Sequence, residues 1–218
     1  MEPLLTIVIA SSNRGKLAEL GSLLADMPVA LVSLGDVLDP VPVLTEEGDS
    51  FEANAGSKAQ QACQATGMVV LADDSGLEVD ALEGRPGVRS ARYAGENATD
   101  AQNNEALLRA LGGVPPERRR ARFRCVLALV TPWEPKAVRS VEGVCEGSIG
   151  LAPRGTHGFG YDPLFLVEGH QGRTMAELAA SEKDALSHRG RAARAMKTVI
   201  AELIREQLAD AQRAADGG

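Results

Sequence analysis

The opening of the chain narrows the possible folds more than any other feature. Leu4-Leu5-Thr6-Ile7-Val8-Ile9-Ala10 is a short apolar run rich in β-branched residues, the pattern of a strand buried on both faces. Ser11-Ser12-Asn13 follows as a turn and helix cap, and residues 16–25 read as a helix that stops before Pro28. Strand, polar loop and helix in that order predict an α/β fold with parallel strands.

The rest of the chain extends this pattern. Asp49 or Ser50 can cap a second helix running to about Thr66, with Gly67 as its end signal. Residues 68–72 read as another buried strand, followed directly by Asp73-Asp74-Ser75-Gly76. Thr99 or Asp100 starts a helix that reaches Leu111 and ends at Gly112-Gly113. Residues 121–131 put Phe123, Cys125, Leu127 and Leu129 on one face of a strand. Pro132-Trp133-Glu134-Pro135 is a turn, and residues 137–146 are its antiparallel partner. A Gly-rich loop over 147–163 leads to a short strand, and from Met175 the pattern is helical, ending in a long helix over 188–209. The expectation is a mixed sheet extended by one long hairpin, in a single domain over residues 1–209, with 210–218 as a disordered tail. There is no internal repeat or low-complexity linker.

Composition excludes some classes of function. The formal net charge of -7 over 218 residues argues against a broad nucleic-acid footprint, so no stable nucleic-acid partner is expected. A small anion remains possible, because a local basic pocket with a metal can sit in an acidic protein. The three cysteines, Cys63, Cys125 and Cys145, have no zinc-type spacing. Without a signal peptide they read as buried reduced thiols of a cytoplasmic protein. The first ten residues lack a basic stretch and a long apolar run, so neither secretion nor a membrane span is expected.

Five constellations carry chemistry. Ser11 to Lys16 lies between a strand and a helix, where free N–H groups and the helix dipole suit phosphate. It is not a Walker A loop, since Ala10 and Leu17 stand where Gly and Ser or Thr are needed. An ordinary capped helix with solvated Arg14 and Lys16 explains the same residues. Phe51, Asn54, Ala55, Lys58 and Ala62 share one helical stripe. Lys58 there either meets a phosphate or snorkels off the stripe edge. Asp73-Asp74 after a buried strand sits where α/β sheets bind ligands. Adjacent carboxylates need a balancing cation, and Mg²⁺ takes one or two carboxylates plus phosphates and water. Glu46 and Glu47 could add another. The alternative is a turn in which an Asp caps backbone N–H groups. Gly158-Phe159-Gly160-Tyr161-Asp162-Pro163 could stack Phe159 on a base, or hold a core aromatic in a tight turn. Ser181-Glu182-Lys183 and Ser187-His188-Arg189-Gly190 put two basic residues in a helix first turn, where cations are disfavoured unless something anionic is near.

These blocks, with Pro86-Gly87-Val88-Arg89-Ser90-Ala91-Arg92-Tyr93, occur in the order and spacing of the inosine triphosphate pyrophosphatase family, which the chain resembles over nearly its whole length. The resemblance implies an elongated α/β fold with a long central mixed sheet and two lobes around a cleft, as a cytoplasmic homodimer. It implies Mg²⁺-dependent hydrolysis of non-standard purine nucleoside triphosphates, such as inosine and xanthosine triphosphate, to monophosphate and pyrophosphate. By the same resemblance Ser11, Ser12, Asn13, Arg14, Gly15, Lys16 and Lys58 contact the triphosphate. Glu46 and Asp74 hold the metal, Asp74 accepts the proton, and Ser75 touches substrate. Phe159, Gly160, Tyr161, Asp162, Lys183, His188 and Arg189 form the base and sugar pocket.

Overall fold

Ile7, Val8 and Ile9 cannot be left in water at acceptable cost, and a central strand buries both of their faces. In the computed structural model, which describes residues 4–11 and 13–216 and only the backbone of residue 14, they lie in β1 (Leu5–Ala10). Ser12 and the Arg14 side chain, two of the expected phosphate contacts, lie outside the described residues. β1 pairs in parallel with β2 (Val29–Ser33) on one side and with β3 (Val69–Val79) on the other. β3 then pairs antiparallel with β4 (Arg120–Thr131), β4 with β5 (Glu134–Ile149), and β5 with β6 (Phe165–Val167). The mixed sheet has the order β2-β1-β3-β4-β5-β6, and the expected hairpin is β4–β5.

Alternation along the strands assigns the two faces. Ile7, Ile9, Leu71, Leu127 and Leu129 pack against Leu20 of α1 (Arg14–Leu23) and against Met196 and Ile200 of α6 (His188–Asp216). Val8, Ala10, Val70, Ala72, Val126 and Ala128 meet Phe51, Ala55, Ala59 and Ala62 of α3 (Phe51–Thr66). Small residues on that helix let it lie close to the sheet. A third cluster, with Leu77, Phe123, Ile149, Tyr161 and Phe165, gathers at the far end of the long strands and includes Leu107 of α4 (Asp100–Ala110). Burying each large aliphatic side chain in these clusters contributes about 1.5–3 kcal/mol before entropy is counted.

Three expectations change. β3 does not stop at Ala72: it continues through Asp73, Asp74, Ser75 and Gly76 to Val79, because β4 keeps pairing with it along that whole length. Only the parallel neighbour ends, at the Ala10–Ala72 pair. The acidic residues therefore lie inside a strand, on the edge that β1 has just vacated. Second, residues 29–33 form an edge strand that the sequence reading left unassigned, followed by the short α2 (Leu34–Val37). Third, α6 runs through Asp216, beyond Ala209. Its last turns are fully exposed, held by helix-forming Ala, Gln and Arg and by the Arg213–Asp210 ion pair.

Candidate active site

The cleft opens where β3 loses β1. α1 starts there with Asn13 as its cap: the Asn13 side chain accepts from the N–H groups of Gly15 and Lys16 at 2.9 and 3.2 Å. Those helix donors are thus occupied by the protein itself, and the basic character of this end comes from Lys16. Its ammonium pairs with Asp73 of β3. Ser11 accepts from the Asn13 N–H at 3.2 Å.

Asp73 and Asp74 are sequence neighbours with opposite environments, because alternate residues of a strand point to opposite faces. Asp73, 1% exposed, faces α1 and α6 and is bonded by the Nε of Arg189 at 3.1 Å as well as by Lys16. Burial alone would raise its pKa, but the Lys16 and Arg189 cations outweigh that and hold it well below the usual carboxylate range. Asp74 faces α3 and the cleft. One of its oxygens lies 3.5 Å from the Lys58 ammonium, and the other is buried without a hydrogen-bond partner. Burial raises its pKa, the nearby Lys58 and Lys16 oppose this, and the Glu46 carboxylate adds to the rise.

Lys58 reaches this point from the buried stripe of α3. Its ammonium donates to Glu46 at 2.6 Å and to the Asp73 carbonyl at 2.7 Å. It therefore does not snorkel; it binds the two acidic groups together. Glu46 also faces Arg92 at 3.6 Å, whereas Glu47 is exposed. The loop that carries Glu46 is fastened to α3 by the Gly48 N–H, which donates to the Asn54 side chain at 2.8 Å.

Ser75 and Gly76 follow on the same strand. The Ser75 hydroxyl accepts from Arg189 at 2.9 Å. Gly76 is required by close approach: a Cβ there would stand 2.5 Å from the Gly87 carbonyl and from the Ser90 hydroxyl. Ser90 in turn accepts from the Leu77 N–H at 2.8 Å, which seats the 86–93 segment beside the strand.

The opposite wall comes from the C-terminal third. Gly158 and Gly160 both have positive φ, 77° and 63°, and hold Phe159 between them. Its ring lies 5.0 Å from the Lys183 ammonium and 5.5 Å from the Arg189 guanidinium, and it packs against Gly15. Tyr161 is buried and donates to the Ser90 carbonyl at 2.8 Å. Asp162 accepts from Lys183 at 2.7 Å and from the Phe159 N–H at 3.1 Å. Lys183 sits on α5 (Ala180–Leu186); burial would lower its pKa, but Asp162 and Glu19 more than reverse this. Ser187 caps α6 by accepting from the Gly190 N–H. His188 stacks on Phe123 at 4.7 Å. Burial, with Arg189 adding to it, pushes its pKa well below the ordinary value, and its Nδ1 has no hydrogen-bond partner.

Arg189 borders the cleft but is held mainly by the protein itself. It is 1% exposed, and its three hydrogen bonds go to Asp73, Ser75 and Glu19. Two N–H groups of its five remain for a ligand. Glu19 was missing from the sequence reading, yet it joins the walls by pairing with both Lys183, at 2.5 Å, and Arg189. Its spacing of three from Lys16 on α1 was the available signal, since such residues share a helix face. Asn13, Lys16, Glu46, Asp74, Ser75, Phe159, Gly160, Tyr161, Asp162, Lys183, His188 and Arg189 all border the same cleft; Ser11 and Lys58 border an adjoining hollow that shares Lys16 and Glu46 with it.

Among the described residues no three His, Cys, Asp or Glu side chains come together to cage a metal. The unpartnered Asp74 oxygen beside Glu46 nonetheless suits Mg²⁺, which needs only one or two carboxylates when phosphates and water complete its shell. Acidic oxygens and ammonium groups in one part of the cleft and an aromatic wall in another place this α/β protein among those whose clefts suit a phosphorylated, flat-ringed ligand.

The chain belongs to the Ham1 family, whose model matches residues 7–199. It is 51% identical to the dITP/XTP pyrophosphatase of Geobacter sulfurreducens, over 88% of this chain and 94% of that one. The dITP/XTP pyrophosphatase of Geobacillus kaustophilus is 53% identical over 85% of this chain and 89% of its own length. A solved HAM1 protein from Coxiella burnetii superposes with a TM-score of 0.82 at 46% identity, covering 91% of this chain and 99% of that one.

Proposed function

We propose that this protein is a nucleoside-triphosphate pyrophosphatase that hydrolyses non-standard purine nucleoside triphosphates, among them those of inosine, deoxyinosine and xanthosine, to the monophosphate and pyrophosphate. The observation that carries the reading is near-50% identity over almost the full length to relatives named for that activity. A cleft with an acidic end and an aromatic end supports it.

In this reading Asp74 and Glu46 would hold Mg²⁺, which neutralises charge on phosphates and makes nearby water more acidic. The Asp74 carboxylate would orient and deprotonate the water that attacks the α-phosphorus, and pyrophosphate leaves. Lys58 and Lys16 offset charge on the phosphates, with Ser11 to Lys16 lining their path. Phe159 stacks on the base, with Tyr161, Asp162, Lys183 and His188 around it. Hypoxanthine and xanthine present a carbonyl at C6 and an N–H at N1, the reverse of adenine. Donors from Lys183 or the free N–H groups of Arg189, with an acceptor from Asp162 or a backbone carbonyl, read the first and leave buried groups unpaired with the second. A single two-lobed domain, a homodimer and a cytoplasmic location complete the proposal; no helix among the described residues is long and apolar enough to cross a membrane.

Pyrophosphate release across a panel of triphosphates, with and without Mg²⁺, tests this. Inosine and xanthosine triphosphates should release pyrophosphate in Mg²⁺ and not in chelator. Equal turnover of adenosine triphosphate, or release of orthophosphate instead, would discard the reading.

A further inference from the structure

The turn that carries Phe159 is exposed from residue 151 to 158, and positive φ at Gly158 and Gly160 gives it conformational freedom. Left alone, such a turn would not hold an aromatic ring at one place. The Phe159 N–H is tied to Asp162 within the turn, and two hydrogen bonds from α4 hold the next residue from outside it. The Gly160 N–H donates to the Asp100 carboxylate at 2.6 Å. The Gly160 carbonyl accepts from the Asn104 side chain at 2.8 Å. Asp100 and Asn104 are one helical turn apart, so they meet the two sides of a single residue from one helix face. Asn104 is itself oriented by a second bond, to the Asp100 carbonyl at 2.8 Å. The next residue after the clamp, Tyr161, is buried and fixed to Ser90, so the clamp sits between the Phe159–Asp162 bond and this anchor.

We propose that Asn104, together with Asp100, is a positioning residue for recognition of the base: the pair clamps Gly160 and thereby fixes where the Phe159 ring stands. The proposal rests on the reading of the Phe159 turn as the base wall. Asp100 borders the cleft, but Asn104 does not; it stands behind the turn, beside a separate hollow. An effect at Asn104 on substrate binding must therefore travel through Gly160.

The test compares Asn104→Asp, Asn104→Ala and the control Arg109→Ala, which removes only the exposed Arg109–Glu105 pair of the same helix. Asn104→Asp keeps the volume, loses the donor and sets a carboxylate against the Gly160 and Asp100 carbonyls, whereas Asn104→Ala removes the bond without adding charge. Hydrogen exchange of the unliganded protein should rise over residues 157–163 in both Asn104 variants and stay unchanged in the control. KM for inosine triphosphate should rise about five- to tenfold in Asn104→Ala, the effect of one lost hydrogen bond, and at least as much in Asn104→Asp, with kcat within about twofold. Should the Asn104 variants fail to fold, Asp100→Ala at an exposed first-turn position gives the hydrogen-exchange readout, and unmoved exchange there overturns the proposal. Unmoved exchange, or raised exchange with parent-like KM in Asn104→Asp, overturns the proposal while the parent remains active. A parent that hydrolyses no purine triphosphate overturns the functional reading, and this proposal with it.

Discussion

The two ends of the cleft are built in different ways. The acidic end comes from β1, α1, α3 and the vacated edge of β3, and its side chains answer one another over short distances: Lys16 to Asp73, and Lys58 to Glu46 and Asp74. The aromatic end is assembled from separated segments, with α4 behind the Phe159 turn and Lys183 and Arg189 tied back to α1 through Glu19. Ion pairs run through both ends, and the second adds neutral hydrogen bonds from α4 to one loop. Chemistry should therefore fail at the acidic end while binding and selectivity fail at the other, and substitutions can break that division.

The largest effect is expected at Asp74. Asn keeps the shape and removes both the charge and the proton acceptor, so Asp74→Asn should lower kcat by roughly 10³-fold or more, about 4 kcal/mol in the barrier. Thermal melting should stay at the parent value or rise slightly, because a buried, partly unpaired carboxylate is removed. Loss within about tenfold would move catalysis away from this oxygen.

Asp73, one residue earlier, should behave as its opposite. Asp73→Asn leaves Lys16 and Arg189 short of a partner inside the protein, which should cost about 3 kcal/mol in urea unfolding. The pH dependence gives an independent reading. The folded pKa of Asp73 is depressed, so the unfolded chain binds the extra proton as pH falls below the usual carboxylate value of about 4. Its stabilisation is present above that value and is lost below it. The parent should therefore lose stability more steeply than Asp73→Asn between about pH 5 and pH 2. Parallel curves would mean that the ion pairs of Asp73 contribute nothing.

The same division explains what the sequence could tell. β1, α1, α3, β3 and the β4–β5 hairpin were legible because their patterns are local: alternation, caps, and glycine or proline stops. β2 was missed because its five half-buried residues sit at the sheet edge and show no alternation. The acidic pair was found but placed after a strand, since nothing in residues 73–76 announces that β4 goes on pairing with them. Lys16, Lys58, Asp74 and Phe159 were visible as odd residues in their local setting. Glu19, Asp100 and Asn104 were not, because each looks like an ordinary polar helix residue until a distant segment meets it. Arg189 shows the limit most clearly: its helix position flagged an anion, and the structure supplies two within the protein, Asp73 and Glu19.

The smallest effect separates two adjacent glutamates. Glu46 points to Lys58 and Arg92, with a pKa that burial raises and Lys58 brings below the ordinary value; Glu47 is exposed. If Glu46 helps to hold Mg²⁺, Glu46→Gln keeps the hydrogen bond to Lys58 and loses one negative ligand from the shell. The Mg²⁺ concentration for half-maximal activity should then rise about tenfold, roughly 1.4 kcal/mol, with kcat at saturating Mg²⁺ nearly kept. Glu47→Gln should leave the Mg²⁺ titration unchanged, since water already surrounds that side chain. Folding should not confuse the comparison, because Glu46 is only half-buried and the Gly48–Asn54 bond that anchors its loop is untouched. Equal Mg²⁺ curves for the two variants would leave Asp74 as the only protein carboxylate on the metal, and Glu46 as the partner that keeps Lys58 in place.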